Sequence, residues 1–142
     1  YMKKMILVLS KKYKKRDSIL ELVKSLKSKD IKLVIYSDYG MLKERLEAIK
    51  FTSEELSYFD ALFSSEDFGC LKPAKKGFLQ VVKNIDVAPE NCLVVGDRVD
   101  TDGKGAFDSG MKYVEIKTHK TKPEYKPKHP LYSFEDFVKE VI

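Results

Sequence analysis

Tryptophan is absent from the 142 residues, cysteine occurs twice, and the 27 Lys+Arg residues include only three arginines, Arg16, Arg45 and Arg98. Two cysteines, Cys70 and Cys92, are too few for a disulfide scaffold or a cysteine-based metal site. They fit a reducing cytoplasmic setting as small apolar residues. Proteins that read base edges usually spend arginine on bidentate contacts, so a lysine-dominated excess giving +5 fits solvated surface better than a nucleic-acid partner. The one dense basic run is Lys11-Lys12-Tyr13-Lys14-Lys15-Arg16. No apolar stretch approaches the roughly 18 residues of a membrane helix. Met2-Lys3-Lys4 followed by Met5 to Leu9 imitates a secretory signal. Its apolar part is too short, no small-residue cleavage site follows, and basic residues come next. With 43% hydrophobic and 35% charged residues, the chain suits one domain with a substantial core.

Helical and strand-like patterns alternate from Asp17 onward. Ser18 and Glu21 have capping-box spacing, and Ile19, Leu22, Val23 and Leu26 then form one apolar stripe. Ile31 to Tyr36 reads as a buried strand, and Leu42, Leu46 and Ile49 mark a second helix. Ala61-Leu62-Phe63 is a short strand, and Phe78, Val81, Val82 and Ile85 give another helical face. Cys92 to Val95 and Tyr113 to Ile116 are further strands. Thr118 to Pro130, with three prolines, is a loop, and Ser133 with Asp136 can cap a last helix. Apolar strands alternating with helices predict an α/β fold, a three-layer sandwich around a parallel, Rossmann-like sheet. Ligands of such folds sit at the carboxyl ends of the strands, so the residues just after each strand matter most.

Two of those positions carry chemistry, and Lys72, in the loop before the Phe78 helix, is a third candidate. Gly96-Asp97-Arg98-Val99-Asp100-Thr101-Asp102 places three acids in one tight loop after an apolar strand. Hard carboxylates there suit a small oxygen-loving cation such as Mg²⁺; a solvated acidic turn capping the next helix is the plainer alternative. Lys72 precedes Pro73, which keeps it out of a helix, and a positioned lysine can neutralise a phosphate or a carboxylate nucleophile. Among 24 lysines, a surface role is the competing reading. Ser37 ends a buried strand and offers a hydroxyl to a phosphate oxygen, or simply turns the chain.

Taken together, the three resemble the haloacid dehalogenase superfamily. Ile35-Tyr36-Ser37-Asp38 is similar to its second motif, Leu71-Lys72-Pro73 to its third, and Gly96-Asp97 with Asp102 to its fourth. Val87-Ala88-Pro89-Glu90-Asn91 and Gly105-Ala106 to Gly110-Met111 also fit the pattern, which covers Asp17 to the carboxyl terminus. The resemblance implies a Mg²⁺-dependent hydrolase, a phosphomonoesterase of small phosphorylated metabolites. Ser37 and Asp38 would bind phosphate, Lys72 would be the catalytic cation, and Asp97 and Asp102 would hold Mg²⁺. Dehalogenation is less compatible with the metal acids. His119 and His129 fall in the proline-rich loop and are expected to be exposed, without a role.

The family's first motif is an Asp-x-Asp ending an amino-terminal strand, whose first acid attacks phosphorus. Upstream of Ser37 the acids are Asp17, Glu21 and Asp30, and the sole Asp-x-Asp pair of the chain is Asp100 with Asp102. Two readings compete. Met5 to Leu9 could be the missing strand, with Ser10 at the nucleophile's place, giving an inactive domain that binds a phosphorylated ligand or a protein partner. Alternatively, Met2, Met5, Ile6, Leu9 and Tyr13 mark a helix, the tail of a helical cap over residues 1–15 ahead of a core over 16–142. The spacing and the opening Tyr1 favour the cap-derived helix and a fragment. Against it stands the exposure of two strand edges in a sheet without its central strand.

Overall fold

A computed structural model describes the backbone at residues 5–8 and the chain from 17 to 142. Six parallel strands form one sheet in the order β3-β2-β1-β4-β5-β6. They are β1 (Met5–Val8), β2 (Lys32–Ser37), β3 (Ala61–Ser64), β4 (Cys92–Gly96), β5 (Lys112–Ile116) and the two-residue edge strand β6 (Leu131–Tyr132). The helices are α1 (Ile19–Ser28), α2 (Leu42–Ala48), α3 (Ser53–Ser57), α4 (Lys75–Asn84), α5 (Lys104–Asp108) and α6 (Phe134–Val141). A π-helical turn, Val99–Gly103, leads from β4 toward α5. Among the described residues no helix is long and apolar enough to cross a membrane.

The side-chain period of two sorts β2, β4 and β5 between two cores. Val34, Tyr36, Val94 and Tyr113 pack with Phe78, Val81 and Val82 of α4 and Ala106 of α5. Leu33, Ile35, Val95, Val114 and Ile116 face Leu22, Val23 and Leu26 of α1 and Phe137 and Val138 of α6. Strands buried on both sides explain the unbroken apolar runs that the sequence presents. These two helical layers around a parallel sheet are the three-layer sandwich expected from the pattern.

One expectation is corrected. Met5–Val8 is a strand rather than part of a cap-derived helix, and it lies at the centre of the sheet. It pairs with β2 on one side (Met5 with Lys32, Val8 with Ile35) and with β4 on the other (Met5 with Cys92, Val8 with Val95). An apolar run this short satisfies helical and strand periods alike. Backbone pairing on both sides then decides, because β2 and β4 would otherwise each present an unpaired edge. The remainder of the expected helix, residues 1–4 and 9–15, lies outside the described residues, as does Ser10. One smaller reading also changes. Ser18 precedes α1 without a side-chain cap bond, and the capping box forms at Thr52 and Glu55 instead. Ser133 caps α6 through the Asp136 amide, as the spacing implies.

Candidate active site

The carboxyl ends of β2, β3 and β4 gather the singled-out residues. β2 ends at Ser37, whose register partner on β3 is Ser64. Ser37 is buried, and its Oγ accepts a hydrogen bond from the Tyr39 amide at 3.2 Å. That contact uses the hydroxyl as an acceptor, and its O–H is the donor that a phosphate oxygen would need. Asp38 follows. Its Oδ1 accepts from Ser65 Oγ at 2.5 Å and from the Lys72 amide at 2.9 Å. Beside it lies a cleft of about 230 Å³ lined by Asp38, Ser65, Glu66, Gly69, Cys70 and Leu71.

Lys72 is not a surface lysine. Its residue is 6% exposed, and its Nζ donates to Asp102 Oδ1 at 2.9 Å. The ammonium also stands 5.7 Å from the centre of the Tyr36 ring. The Tyr36 hydroxyl is pushed up to about 12, mainly by burial, so the aromatic wall stays neutral beside the ion pair. The peptide from Lys72 to Pro73 is cis.

Asp102 owes its place to the wide turn after β4. Within Val99–Gly103 the Asp102 amide bonds to the Arg98 carbonyl at 2.8 Å, and the side chain turns inward to complete burial. Its carboxylate lies against Gly96: a Cβ built there would sit 2.4 Å from Oδ2. Only glycine allows that approach. Asp97 comes next in the chain, and its Oδ1 is buried with no hydrogen-bond partner among the described residues. Asp100 points elsewhere, paired with Arg98 at the exposed surface. Contacts therefore run from Ser37 and Asp38 through Lys72 and Asp102 to the Gly96–Asp97 turn.

A buried carboxylate oxygen lacking a donor is the kind of group a cation satisfies. Asp97 and Asp102 thus fit a Mg²⁺ that takes one or two carboxylates and fills its remaining positions with water and phosphate oxygens. Among the described residues no group of three or more His, Cys, Asp or Glu side chains forms an all-protein cage.

Sequence reasoning missed four contributors. Tyr113 O–H donates to the Gly96 carbonyl at 3.1 Å and braces the acid loop. Ser65 reaches Asp38, and its signal was visible: it closely follows a strand end paired with that of β2. Glu115 is buried at the end of β5 and accepts from Tyr125 O–H at 2.7 Å, with His129 Nε2 at 2.6 Å from the same oxygen. His129 is therefore not the exposed loop residue expected. Its ring packs against Tyr113 with centroids 5.1 Å apart.

Comparison with known proteins gives the family and the fold. A family model described as haloacid dehalogenase-like hydrolase matches residues 3–110. The glyceraldehyde 3-phosphate phosphatase of Methanocaldococcus jannaschii is 34% identical over 91 residues, covering 64% of this chain and 39% of that protein. The same-named enzyme of Methanopyrus kandleri is 38% identical over 63 residues, 44% of this chain and 27% of the relative. The N-acylneuraminate-9-phosphatase of Rattus norvegicus is 30% identical over 86 residues, 59% and 33% of the two chains. The chain thus spans well under half the length of these curated relatives. Two solved structures share its fold. A HAD phosphatase from Thermococcus onnurineus superposes with TM-score 0.74 at 22% identity, over 88% of this chain and 57% of that one. The core domain of a Streptococcus pneumoniae TIGR4 protein gives TM-score 0.73 at 18% identity, over 99% and 96%.

Proposed function

Because the chain belongs to the haloacid dehalogenase-like hydrolase family, we propose that it binds a small phosphorylated metabolite together with Mg²⁺ at the ends of β2 and β4. In this reading it is a phosphomonoesterase core whose hydrolytic step lacks its carboxylate nucleophile. The observation that carries the reading is the chain of contacts from Asp38 through the Lys72 amide and ammonium to Asp102. It links the proposed phosphate and metal sites through one buried cation. Ser37 donates to a phosphate oxygen, and Asp38 completes that strand end. Lys72 offsets the charge that accumulates on a transferring phosphoryl group. Asp97 and Asp102 hold Mg²⁺, which when bound supplies electrostatic stabilisation of phosphate oxygens.

The position of β1 supports reading Met5 to Leu9 as the family's central strand, with Ser10 at the nucleophile's place. In this family the central strand delivers the attacking aspartate. Here the residues following Val8 are Leu9-Ser10-Lys11-Lys12, with no acid before Asp17. A serine and a lysine thus occupy the sequence positions where an Asp-x-Asp would belong. The names of the curated relatives point to phosphorylated trioses or sugar acids as the ligand class. Two free thiols, one of them fully buried, suit a cytoplasmic location.

The test uses p-nitrophenyl phosphate with Mg²⁺. The chain should show no turnover above background, and Ser10→Asp/Lys12→Asp should raise Mg²⁺-dependent turnover by orders of magnitude. Nucleophile and electrostatic groups act as a unit, so restoring the former should release the latter. Inorganic phosphate should bind the chain in calorimetry and lose affinity in Ser37→Ala. Absence of phosphate binding in the folded chain would overturn the proposal.

A further inference from the structure

Asp38 stands beside the proposed phosphate serine, yet its carboxylate is directed at protein donors. Two of them converge on Oδ1: the Ser65 hydroxyl at 2.5 Å and the Lys72 amide at 2.9 Å. Those donors are the two ends of one short loop. The Gly69 amide already bonds the Ser65 carbonyl at 2.9 Å, which folds the first half of that loop into a turn. Gly69 takes φ +69 there, a left-handed value that glycine adopts without strain. Asp38 closes the second half. Lys72 is consequently held at both ends by carboxylates, its amide by Asp38 and its ammonium by Asp102.

We infer that Asp38 is a positioning residue, which clamps the Ser65–Lys72 loop through Oδ1 so that the Lys72 ammonium stays seated on Asp102. The physical reason is the length of the lysine side chain. Four methylenes carry large rotamer entropy, and an unanchored backbone would let the ammonium swing toward water instead of into a buried pair. A carbonyl-type oxygen carries two lone pairs, so Oδ1 can accept from both donors at once. This role differs from phosphate contact and from nucleophilic attack. Attack on phosphorus needs an ionised carboxylate and a phosphate contact needs a donor that a carboxylate lacks, whereas the clamp needs only an acceptor at the Oδ1 position. The inference concerns the protein's own hydrogen bonds; it deepens the proposed phosphate site without depending on it.

The discriminating variants are Asp38→Ala and Asp38→Asn, since asparagine keeps an acceptor oxygen and discards the charge. Two readouts report on Lys72 directly: the exchange rate of its amide by NMR, and the reductive methylation rate of its Nζ by peptide mass spectrometry. In Asp38→Ala both should rise at least tenfold, and in Asp38→Asn both should stay within about threefold of the parent chain. If Asp38→Ala fails to fold, Ser65→Ala removes one of the two donors and should accelerate Lys72 amide exchange severalfold. An Asp38→Asn chain as deprotected as Asp38→Ala would overturn the clamp, because charge would then be the active property. Unchanged exchange and methylation in a folded Asp38→Ala would overturn it too. Inorganic phosphate titration runs in parallel. Protection lost in Asp38→Ala and kept in Asp38→Asn, in a parent chain that binds no phosphate, would uphold the clamp and reject the phosphate site.

Discussion

Lys72 and Asp102 form an ion pair at 2.9 Å with side chains only 2% and 0% exposed. Burial of two charges is costly and is offset only when each keeps the other. Removing one partner therefore does more harm than the pair does good. Lys72→Met should destabilise the fold by about 3–5 kcal/mol, read as a lower denaturation midpoint at unchanged slope. The double variant Lys72→Met/Asp102→Leu should recover much of that loss while abolishing Mg²⁺ binding. A double variant as unstable as the single one would show that the pair's worth lies in more than mutual neutralisation.

Gly96 has the tightest steric requirement of the acid loop. A methyl there would stand 2.4 Å from Asp102 Oδ2 and 2.8 Å from its Cγ. Because Lys72 holds that carboxylate from its far side, the acid has little room to retreat. Gly96→Ala should cost about 1–3 kcal/mol, as overpacking does. It should also displace Asp102 enough to weaken Mg²⁺ affinity measured by calorimetry. Equal stability and equal affinity would show that the turn can shift as a body.

Much of the fold is legible in the sequence because β2, β4 and β5 are largely buried and α1, α4 and α6 each bury one apolar stripe. Ile31 to Tyr36 and Cys92 to Val95 are β-branched runs bounded by turn residues, and the structure places strands there. Met5 to Leu9 satisfies two periods, and only pairing with β2 and β4, which is nonlocal, resolves it. The carboxyl-end rule pointed to Ser37 and Asp97 by their place after strands, while Lys72 and Asp102 were singled out by the Pro73 neighbour, the acid loop and the family resemblance. It could not find Tyr113 or Glu115, since their partners Gly96, Tyr125 and His129 become neighbours only through strand register and a loop that folds back. Asp38 was visible as a residue but not as a clamp, for its donors come from a different loop.

The buried tyrosines predict an alkaline limit. Burial raises Tyr36 to about 12 and raises Tyr113 further, with Asp102 and Glu115 adding to the latter. A phenol whose folded value lies above its unfolded value of about 10 stabilises the fold fully below that unfolded value. The contribution is lost as pH rises through the folded value. Stability should accordingly hold to about pH 10 and fall between roughly pH 10 and 12. Phenolate absorbance and far-ultraviolet circular dichroism, followed together, should show the last phenols ionising only as the fold is lost. Smooth ionisation of all eight tyrosines with the fold intact would contradict the burial account.

Glu115 governs the proline-rich loop. Its one oxygen takes both the Tyr125 hydroxyl at 2.7 Å and His129 at 2.6 Å, from positions 10 and 14 residues further along. The loop is further tied by the Glu115 amide to the Pro130 carbonyl at 2.9 Å and the Lys117 amide to the Tyr132 carbonyl at 2.7 Å. Those backbone bonds seat its far end, while the carboxylate ties its middle to the sheet. Hydrogen bonds to a charged group contribute about 1.5–3 kcal/mol each, and Glu115→Gln keeps the shape but removes the charge. Loss of the middle contacts should leave the sheet intact and open the lysine-rich stretch from Thr118 to Lys128. Trypsin is the natural probe, since Lys120, Lys122, Lys126 and Lys128 fall inside it, although prolines follow Lys122 and Lys126 and slow cleavage there. Cleavage after Lys120 or Lys128 should therefore accelerate several-fold in Glu115→Gln, with the unfolding midpoint lowered by less than the Lys72→Met change. Tyr125→Phe should give a smaller acceleration, because it removes one donor and leaves the His129 pair. Cleavage rates matching the parent chain in both variants would mean that the backbone bonds alone hold the loop, and that Glu115 is only a satisfied buried acid.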